Sequence, residues 1–405
     1  MIRPERRTRA DLIAALAIIV VVAVAAALIW WTSDARATIS RPATTPAPNT
    51  APARALPAAL NQLWTAPSPK TDTPVVVSGT VVTGDGRELV GRDPKTGGQR
   101  WLFGRDRELC GVTWSYDLAV AVYPDGRGCG QVSTVDGATG RRGPTRTGYA
   151  DKQVTLASDG ITVLAWGSTR VEMWRSDMVR TLAWGPLDAP INPPVQPQPP
   201  CTFVSVAASS DAASILEACP NAPDLRLTML KVAKEDVSPE QRYAEQTGAD
   251  AKSGAKVLMV SGQRTAVYLP APQPRIVVYD ETGVEISSTA LAKPAPPAIS
   301  ASRAGDLVTV WTGDSVVVLD GSSLTYRYAI AAGAATPIGP GAMMADRLLI
   351  PLSTGMGVYD PMTGAPDRVI PADRGGVQPP VLPGLAGTTV VEQRGDTIVA
   401  LGDRG

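Results

Sequence analysis

The sequence predicts an all-β protein, an eight-bladed β-propeller that follows one N-terminal transmembrane helix. Three observations support this prediction. A short turn motif recurs along most of the chain, runs of β-branched residues separate its copies, and an apolar run of 20 residues precedes the first copy. A seven-bladed ring is the alternative, because the fourth repeat unit, 201–245, is irregular.

The turn motif pairs an Asp with a Gly or Ser a few residues later. Its first copy is RDPKTG at 92–97. Further copies lie at 135–140, 279–283, 319–322 and 359–364, with degenerate copies at 174–177 and 401–405. The mean spacing of about 44 residues matches the ~40–50 residues of a four-stranded propeller blade. PVVVSG and TVVTGDG, which precede the first turn, are typical of strands joined by hairpins.

Eight units can be marked, and their first strands begin near residues 74, 108, 152, 201, 255, 298, 335 and 379. The eighth unit is one strand short when the sequence reaches Gly405. NQLWTA, at 61–66, resembles the outer strand GQRWLF of the first unit. We therefore expect 61–66 to pair with the last unit and close the ring, which leaves only short, protected edges.

The first copy of the turn has two interpretations. A Gly-rich loop beside a Trp can mark a cofactor site, whereas in a propeller the same residues form the corner of a blade. Because the turn recurs, we expect Asp93 and Thr96 to cap backbone groups and Gly97 to supply a positive φ. Trp101 is then expected to pack between neighbouring blades.

The N-terminal region predicts a membrane anchor. Four arginines lie within residues 1–11, and the 20 uncharged residues 12–31 are long enough to span the ~30 Å hydrocarbon core. Trp30 and Trp31 lie where an aromatic belt is found, and the arginines place the N-terminus in the cytoplasm. A cleaved signal peptide, with a cleavage site at 35–37, is the alternative, although its apolar region exceeds the usual length of roughly 7–15 residues.

The chain therefore divides into four parts. We expect a cytoplasmic N-terminus at 1–11, a transmembrane anchor at 12–31, a tether at 32–59 and an extracytoplasmic propeller at 60–405. The tether is rich in Pro, Ala and Thr and has no apolar periodicity. Such a composition predicts a semi-extended spacer that holds the propeller off the membrane surface.

The composition excludes several kinds of chemistry. The chain has no His, so it can form no Ser-His-Asp or Cys-His nucleophile system and no His-ligated metal site. Lys plus Arg and Asp plus Glu both number 38, and no basic run predicts nucleic-acid binding. We expect no catalytic residue, no metal and no cofactor, and hence a protein that is not an enzyme.

The four cysteines predict two structural disulfides. Cys110 and Cys129 bracket the first hairpin of the second unit, and Cys201 and Cys219 bracket the same hairpin of the fourth. Four cysteines permit three connectivities. The repeat frame favours 110–129 and 201–219, because a hairpin brings such ends within disulfide reach. Oxidised pairs agree with an exported domain.

The loops between units are expected on one face, together with the loops between second and third strands, and propellers usually bind ligands there. The proline-rich segment 185–200 is either a partner-docking loop or a connector. Arginine forks and carboxylates near a Trp suit a sugar headgroup or a protein partner. The candidate binding residues are Arg105, Arg107, Glu108, Trp114, Asp151, Lys152, Arg303, Asp373 and Arg374.

GRDPKTGGQRW, at 91–101, resembles the blade signature of the pyrroloquinoline-quinone-like propeller repeats, and 133–143 and 357–367 resemble it more loosely. Propellers of this kind include quinone dehydrogenases and non-enzymatic envelope scaffolds. The dehydrogenases carry a disulfide between adjacent cysteines over the cofactor, and no two cysteines are adjacent in this sequence. The resemblance thus implies the fold without a catalytic residue, with a quinone-dependent dehydrogenase as the alternative function.

Longer segments resemble the polar growth factor family, membrane-anchored propellers of mycolic-acid-containing actinobacteria. The segments are LIWWTSDARAT at 28–38, LVGRDPKTG at 89–97, DGRGCGQVSTVDGATGRRGP at 125–144 and VWTGDSVVVLDGSSLTYRY at 310–328. This resemblance implies a single-pass protein of the inner membrane, with its propeller in the periplasm-like space. It also implies a role in polar cell-envelope growth and trehalose monomycolate transport, with the inner-membrane lipid transporter of that pathway as partner and a mycolate glycolipid as ligand. A sensor or scaffold of another envelope complex is a further alternative.

Overall fold

Each predicted unit folds as one antiparallel sheet that forms one blade, with four strands from each of the first seven units and three from the eighth. The computed structural model describes residues 8–186, 201–220, 222–244 and 247–403. The inner strands of consecutive blades lie side by side, and the last blade lies beside the first. The described part of the chain is an eight-bladed propeller, as the sequence predicted.

The strands of each blade follow one another outwards from the axis, and two strands precede the first blade. These two are β1 (Ile39–Arg41) and β2 (Asn61–Pro67). Blade 1 contains β3 (Val75–Val77), β4 (Thr80–Asp85), β5 (Glu88–Arg92) and β6 (Gln99–Gly104). Blade 2 contains β7 (Gly111–Ser115), β8 (Leu118–Asp125), β9 (Gly128–Asp136) and β10 (Arg142–Thr147). Blade 3 contains β11 (Thr155–Ser158), β12 (Val163–Trp166), β13 (Val171–Trp174) and β14 (Arg180–Trp184).

The remaining blades repeat this pattern. Blade 4 contains β15 (Thr202–Ala208), β16 (Ala212–Ala218), β17 (Arg226–Lys231) and β18 (Glu240–Ala244). Blade 5 contains β19 (Lys256–Ser261), β20 (Arg264–Leu269), β21 (Arg275–Tyr279) and β22 (Glu285–Ala290). Blade 6 contains β23 (Ser300–Ala304), β24 (Leu307–Trp311), β25 (Val316–Asp320) and β26 (Tyr326–Ile330). Blade 7 contains β27 (Ala342–Met344), β28 (Arg347–Leu352), β29 (Gly355–Tyr359) and β30 (Pro366–Pro371).

The eighth blade is completed from both ends of the propeller sequence. It contains β31 (Val381–Ala386), β32 (Thr389–Arg394) and β33 (Thr397–Gly402), and β2 supplies its outer strand. In the pairing of β2 with β33, Gln62 lies opposite Leu401 and Thr65 opposite Val399. The predicted closure by 61–66 is confirmed. The irregular fourth unit also forms a complete blade, so the eight-bladed prediction is confirmed over the seven-bladed one.

The core lies between the blades. Apolar side chains on both faces of the inner strands are buried, because each blade is covered on both sides by its neighbours. Between blades 1 and 2, for example, Leu89, Phe103 and Tyr123 belong to one buried cluster. A fully buried side chain of this size contributes about 1.5–3 kcal/mol. The outer strands of blades 5 to 7 are mostly exposed, so the inner strands provide most of the burial.

A long apolar helix precedes the propeller. Helix α1 (Arg9–Thr32) begins with a capping box between Thr8 and Asp11, and none of its side chains is buried. Among the described residues it is the one helix long and apolar enough to cross a membrane, either as an anchor or as a signal sequence. The short helix α2 (Asp34–Ala37) follows it.

The segment expected to be a free tether is partly built into the propeller. β1 pairs with β6, the outer strand of blade 1, and Ile39 lies opposite Gly104. Further along, the N–H of Ala43 donates to Thr139 O at 2.9 Å, and that of Ala47 donates to Ala138 O at 2.8 Å. Residues 39–47 therefore lie against blades 1 and 2, because their backbone groups find partners there, and Ala53 and Leu56 pack against the buried cluster of blades 7 and 8. The expectation that all of 32–59 holds the propeller off the membrane needs this correction.

Candidate functional site

The recurrent Asp turns are blade corners between third and fourth strands. In the first turn the Asp93 carboxylate accepts hydrogen bonds from the N–H groups of Lys95 and Thr96, both at 2.9 Å. Gly97 has a φ of +70°, which a residue with a Cβ adopts only at a cost. Asp360 caps its turn in the same way. The polar groups of these turns are thus occupied by the backbone, as expected for corners.

The Trp of the motif packs on the corner of the following blade. The Trp101 indole N–H donates to Gly137 O at 2.8 Å, and the ring lies against Gly140 of the same turn. Trp64 contacts the turn of blade 1 in the same manner, and Tyr328 contacts that of blade 7. Each of these three aromatic residues therefore joins its own blade to the next, which is the packing predicted for Trp101.

The carboxylate of the first corner is strongly held. Burial alone would raise the pKa of Asp93, but the Arg100 guanidinium and the two backbone N–H groups lower it to about 2. A carboxyl with so low a pKa stays ionised at neutral pH and is a poor proton acceptor. Asp93 therefore has the properties of a structural group.

Both predicted disulfides are confirmed. Cys110 is bonded to Cys129 with a Cα–Cα distance of 6.1 Å, and Cys201 to Cys219 with a Cα–Cα distance of 4.3 Å. One detail differs from the expectation, since Cys129 lies at the start of the third strand, β9, rather than at the end of the second. β8 reaches Asp125, so the turn falls just before Cys129.

Most candidate binding residues lie in loops that join consecutive blades. We call the surface that carries these loops and those between second and third strands the loop face. Arg105, Arg107 and Glu108 lie between β6 and β7, Asp151 and Lys152 between β10 and β11, and Asp373 and Arg374 between β30 and β31. The proline-rich segment falls mainly on residues 187–200, which lie outside the described residues. The topology therefore brings seven of the nine candidates to one face.

Trp114 and Arg303 do not join that group. Both lie in the innermost strand of a blade, one residue before the strand ends on the side opposite the loop face. Trp114 is next to Gly160, in the first hairpin turn of blade 3, and Arg303 donates to Gly321 O, in the outer hairpin turn of blade 6, at 3.0 Å. These turns lie on the opposite face, so the expectation that all nine residues gather together is wrong for these two.

Arg374 is a structural residue. It is 5 % exposed, and its guanidinium donates to Leu352 O, Gly355 O and the carboxylate of Glu392. Glu392 is completely buried and also pairs with Arg394. Because a partner on the surface cannot reach this guanidinium, we remove Arg374 from the candidate contacts.

Asp151 is also used within the fold. Its carboxylate accepts hydrogen bonds from the Thr169 N–H at 2.9 Å, the Thr169 hydroxyl at 2.6 Å and the Arg170 N–H at 3.1 Å. It thereby fixes the loop between the second and third strands of blade 3. On the loop face, the exposed residues of the candidate set are Glu108, Lys152 and Asp373.

A buried charge cluster between blades 2 and 3 was missed at the level of the sequence. Glu172 is 4 % exposed and is bound by Arg146 at 2.8 Å, by Arg180 at 3.2 Å and by Arg170. Burial would raise the pKa of Glu172, but Arg146 and Arg170 and a hydrogen bond from Trp174 keep it below its ordinary value. The sequence feature that could have indicated this cluster is the single Glu inside the otherwise apolar strand VEMW.

The fold is shared with propellers of diverse kinds. No protein-family model matches the sequence, and no curated protein matches it. Among solved structures the chain is similar to Sqt1 of Saccharomyces cerevisiae, with a TM-score of 0.54 and 11% identity over 87% of this chain and 100% of that one. It is similar to the C-terminal WD40 domain of Sif2, with a TM-score of 0.52 and 11% identity over 86% and 99% of the two chains.

A third similar structure is a quinohemoprotein alcohol dehydrogenase, ADHIIG, from Pseudomonas putida HK5. Its TM-score is 0.51 and its identity 11%, over 87% of this chain and 78% of that one. This likeness agrees with the propeller fold that the repeats predicted. At such low identity all three likenesses show the fold alone. Membership of the polar growth factor family stays a prediction.

Proposed function

We propose that this protein is a non-catalytic, membrane-anchored propeller that binds partners in the cell envelope. In its specific form, the proposal is that it binds envelope proteins, a mycolate glycolipid, or both, during trehalose monomycolate transport and polar growth. Its partner would be the inner-membrane lipid transporter of that pathway. The resemblance of the segments 28–38, 125–144 and 310–328 motivates this specific form.

The observation that carries the proposal is the continuity between helix and propeller. α1 ends at Thr32, and β1 already pairs with blade 1 from Ile39 onward. If α1 is retained as an anchor, the propeller is confined to the membrane surface. Confinement raises the effective concentration of membrane partners, so modest affinities suffice.

The chemistry of the described residues supports a binding role. The Asp side chains of the repeated turns hold backbone N–H groups, and the buried carboxylates of Glu172 and Glu392 are each paired with arginines. The two disulfides suit an exported domain. In this proposal α1 is a single-pass anchor in the inner membrane, its N-terminus lies in the cytoplasm, and the propeller occupies the periplasm-like space.

The proposed contact surface is the loop face around blades 1 to 3. Arg107 lies there with its guanidinium near the surface, where it donates to Pro124 O at 3.1 Å, and the exposed Glu108 and Lys152 lie in the same and the next loop. This mixture of a planar cation, an ammonium group and a carboxylate offers both donors and acceptors. Sugar hydroxyls and protein surfaces require both.

Complementation of a depletion strain tests the proposal. We expect the full chain to restore growth, and a version exported without α1 to restore it poorly. A chain carrying Arg107→Ser and Glu108→Ser should fold but recover less partner and glycolipid after crosslinking and affinity purification. Arg347→Ser, at the exposed start of β28 in blade 7, is the matched control. Full rescue by the untethered propeller, together with normal recovery by the loop variant, would refute the proposal.

The dehydrogenase alternative has a separate test. A quinone bound to the purified protein would give a characteristic absorbance that denaturation releases. Under our proposal the protein carries no such chromophore after supplementation with pyrroloquinoline quinone. Stoichiometric binding of the quinone, with reduction by an alcohol, would favour the dehydrogenase.

A further inference from the structure

An arginine-lined cleft lies at the outer edge of the ring between blades 2 and 3. Its volume is about 530 Å³, and it opens between strand β10 and the turn that precedes β14. Polar side chains dominate its lining, and they come from blades 1, 2 and 3. They are Arg105, Gln131, Thr145, Arg146, Thr147 and Arg180.

The charge around the cleft is positive. Arg146 and Arg180 reach it from either side of the buried Glu172, which also binds Arg170 behind them. Asp236 pairs with Arg180 at 2.6 Å. Together with Arg105, these residues bring four guanidinium groups and two carboxylates to the cleft and its surroundings. Because Glu172 is already shared by three arginines, the cleft retains the capacity to hold an anion.

Arg105 has a donor group without a partner. Its guanidinium lies 5.6 Å from the centre of the Tyr123 ring, and its Nη1 donates to the amide oxygen of Gln131. Its Nε is buried, and no hydrogen-bond acceptor lies within reach of it in the described part of the protein. A buried N–H group normally has an acceptor. The Nε has no surface in contact with the cleft, so an oxyanion there would be held by charge-assisted hydrogen bonds from the outer nitrogens of the lining arginines.

The cleft also lies close to the point where the chain leaves the membrane. Arg105 directly follows Gly104, which pairs with Ile39 at the start of β1. The six residues between Thr32 and Ile39 include the four of α2. Helical and extended rises together limit the separation of Thr32 and Ile39 to about 20 Å. Arg36 of this connection lies 3.9 Å from the centre of the Trp31 ring, as expected for residues at the membrane interface.

We propose that this cleft binds the phosphate headgroup of an anionic lipid in the membrane that holds α1. The inference rests on the anchored state in the proposed function. Arginine forks match the geometry of phosphate oxygens and hold them by paired hydrogen bonds. The cleft begins beside the start of β1, which the short connection keeps within about 20 Å of the helix end, so it lies near such headgroups, whereas a free anion would have to compete from solution.

Native mass spectrometry of the full chain, released from detergent with bound lipid, tests this inference. The probes are phosphatidylglycerol and phosphatidylcholine in equal amounts. We expect the wild type to retain phosphatidylglycerol preferentially, and R105Q to retain about fivefold less of it, since one arginine near an anionic membrane surface contributes on that order. R347Q, which removes the same charge from blade 7, should leave lipid retention unchanged.

A second variant protects the test against misfolding. T147W places an indole in the cleft without altering the ion pairs of Glu172, and it should also reduce retention of phosphatidylglycerol while thermal unfolding stays unchanged. Equal retention by the wild type, R105Q and T147W would overturn the inference. Displacement of the lipid by millimolar inorganic phosphate would also overturn it, in favour of a free-phosphate site.

The intact mass in the same spectra separates this inference from the proposed function. A mass that lacks the first 37 residues would show that α1 is a cleaved signal sequence, and both proposals would then fail. A full mass with no preference for phosphatidylglycerol would overturn the lipid site alone and leave partner binding at the loop face unaffected.

Discussion

The contact between Tyr328 and the corner of blade 7 can be tested by a double-mutant cycle. The half-buried Tyr328 donates its hydroxyl to Pro361 O at 2.7 Å. Truncation of a fully buried aromatic residue to Ala lowers the free energy of unfolding by about 3–5 kcal/mol. Because the Tyr328 ring is only half-buried, we expect Tyr328→Ala to lower it by about 2–3 kcal/mol. Tyr328→Phe, which removes only the hydroxyl, should cost about 1 kcal/mol.

Gly364 lies under the same ring. Its φ is +72°, and a Cβ at this position would lie 2.4 Å from Cδ2 of Tyr328. Left-handed backbone costs a non-Gly residue about 1–2 kcal/mol, and displacement of the ring adds much of the 2–3 kcal/mol that the ring contributes. We therefore expect Gly364→Ala to cost about 3–5 kcal/mol in the wild type.

The cycle separates strain from packing. In the Tyr328→Ala background no ring remains to be displaced, so Gly364→Ala should cost only about 1–2 kcal/mol. Urea unfolding of the full chain in detergent, followed by far-ultraviolet circular dichroism, measures all four free energies. Gly98→Ala is the control, because Gly98 has no positive φ and its nearest neighbour would be Thr96 Oγ1 at 3.3 Å. Additivity of the two substitutions within about 0.5 kcal/mol would refute the packing argument.

Three further predictions concern stability. Reduction of the disulfides should destabilise the propeller by about 3 kcal/mol per bond, and an unchanged melting temperature in dithiothreitol would contradict this. The pKa of Asp93 in the folded protein, about 2, lies below its value in the unfolded chain. Its contribution to stability is therefore complete above about pH 4 and is lost as the pH falls towards 2. Over this interval the urea midpoint of Asp93→Asn should fall less than that of the wild type. Arg374→Met leaves Glu392 buried with one partner fewer and should cost about 3–5 kcal/mol, whereas the exposed neighbour Asp373→Ala should change stability by less than about 0.5 kcal/mol.

The fold could be predicted because its information is local. Each blade is a set of consecutive hairpins, so the period of the Asp turns locates the strands, and the hairpins in turn place Cys110 near Cys129 and Cys201 near Cys219. Even the closing strand had a local signal, since NQLWTA resembles another outer strand.

The candidate site was less predictable because it depends on contacts between blades. Arg374 looked like a loop residue, but its guanidinium reaches Glu392 in the next blade. The partners of Glu172 come from β10, from β14 and from the loop before β13, and no periodicity connects these positions. The three-residue strand β1 was equally invisible, because its register is set by the free edge of β6 rather than by its own sequence.

The closing strand has a consequence for how this protein is made. Ala59, just before β2, donates to the side chain of Asp403, 344 positions further along the chain. At roughly 5–20 residues per second, the ribosome needs on the order of 20–70 s to synthesise the segment between them. Throughout that interval β2 has no partner while the growing blades expose an unpaired inner surface. Ring closure thus waits until β33 has been made, and interrupted translation after blade 7 would leave an open chain prone to strand addition and aggregation.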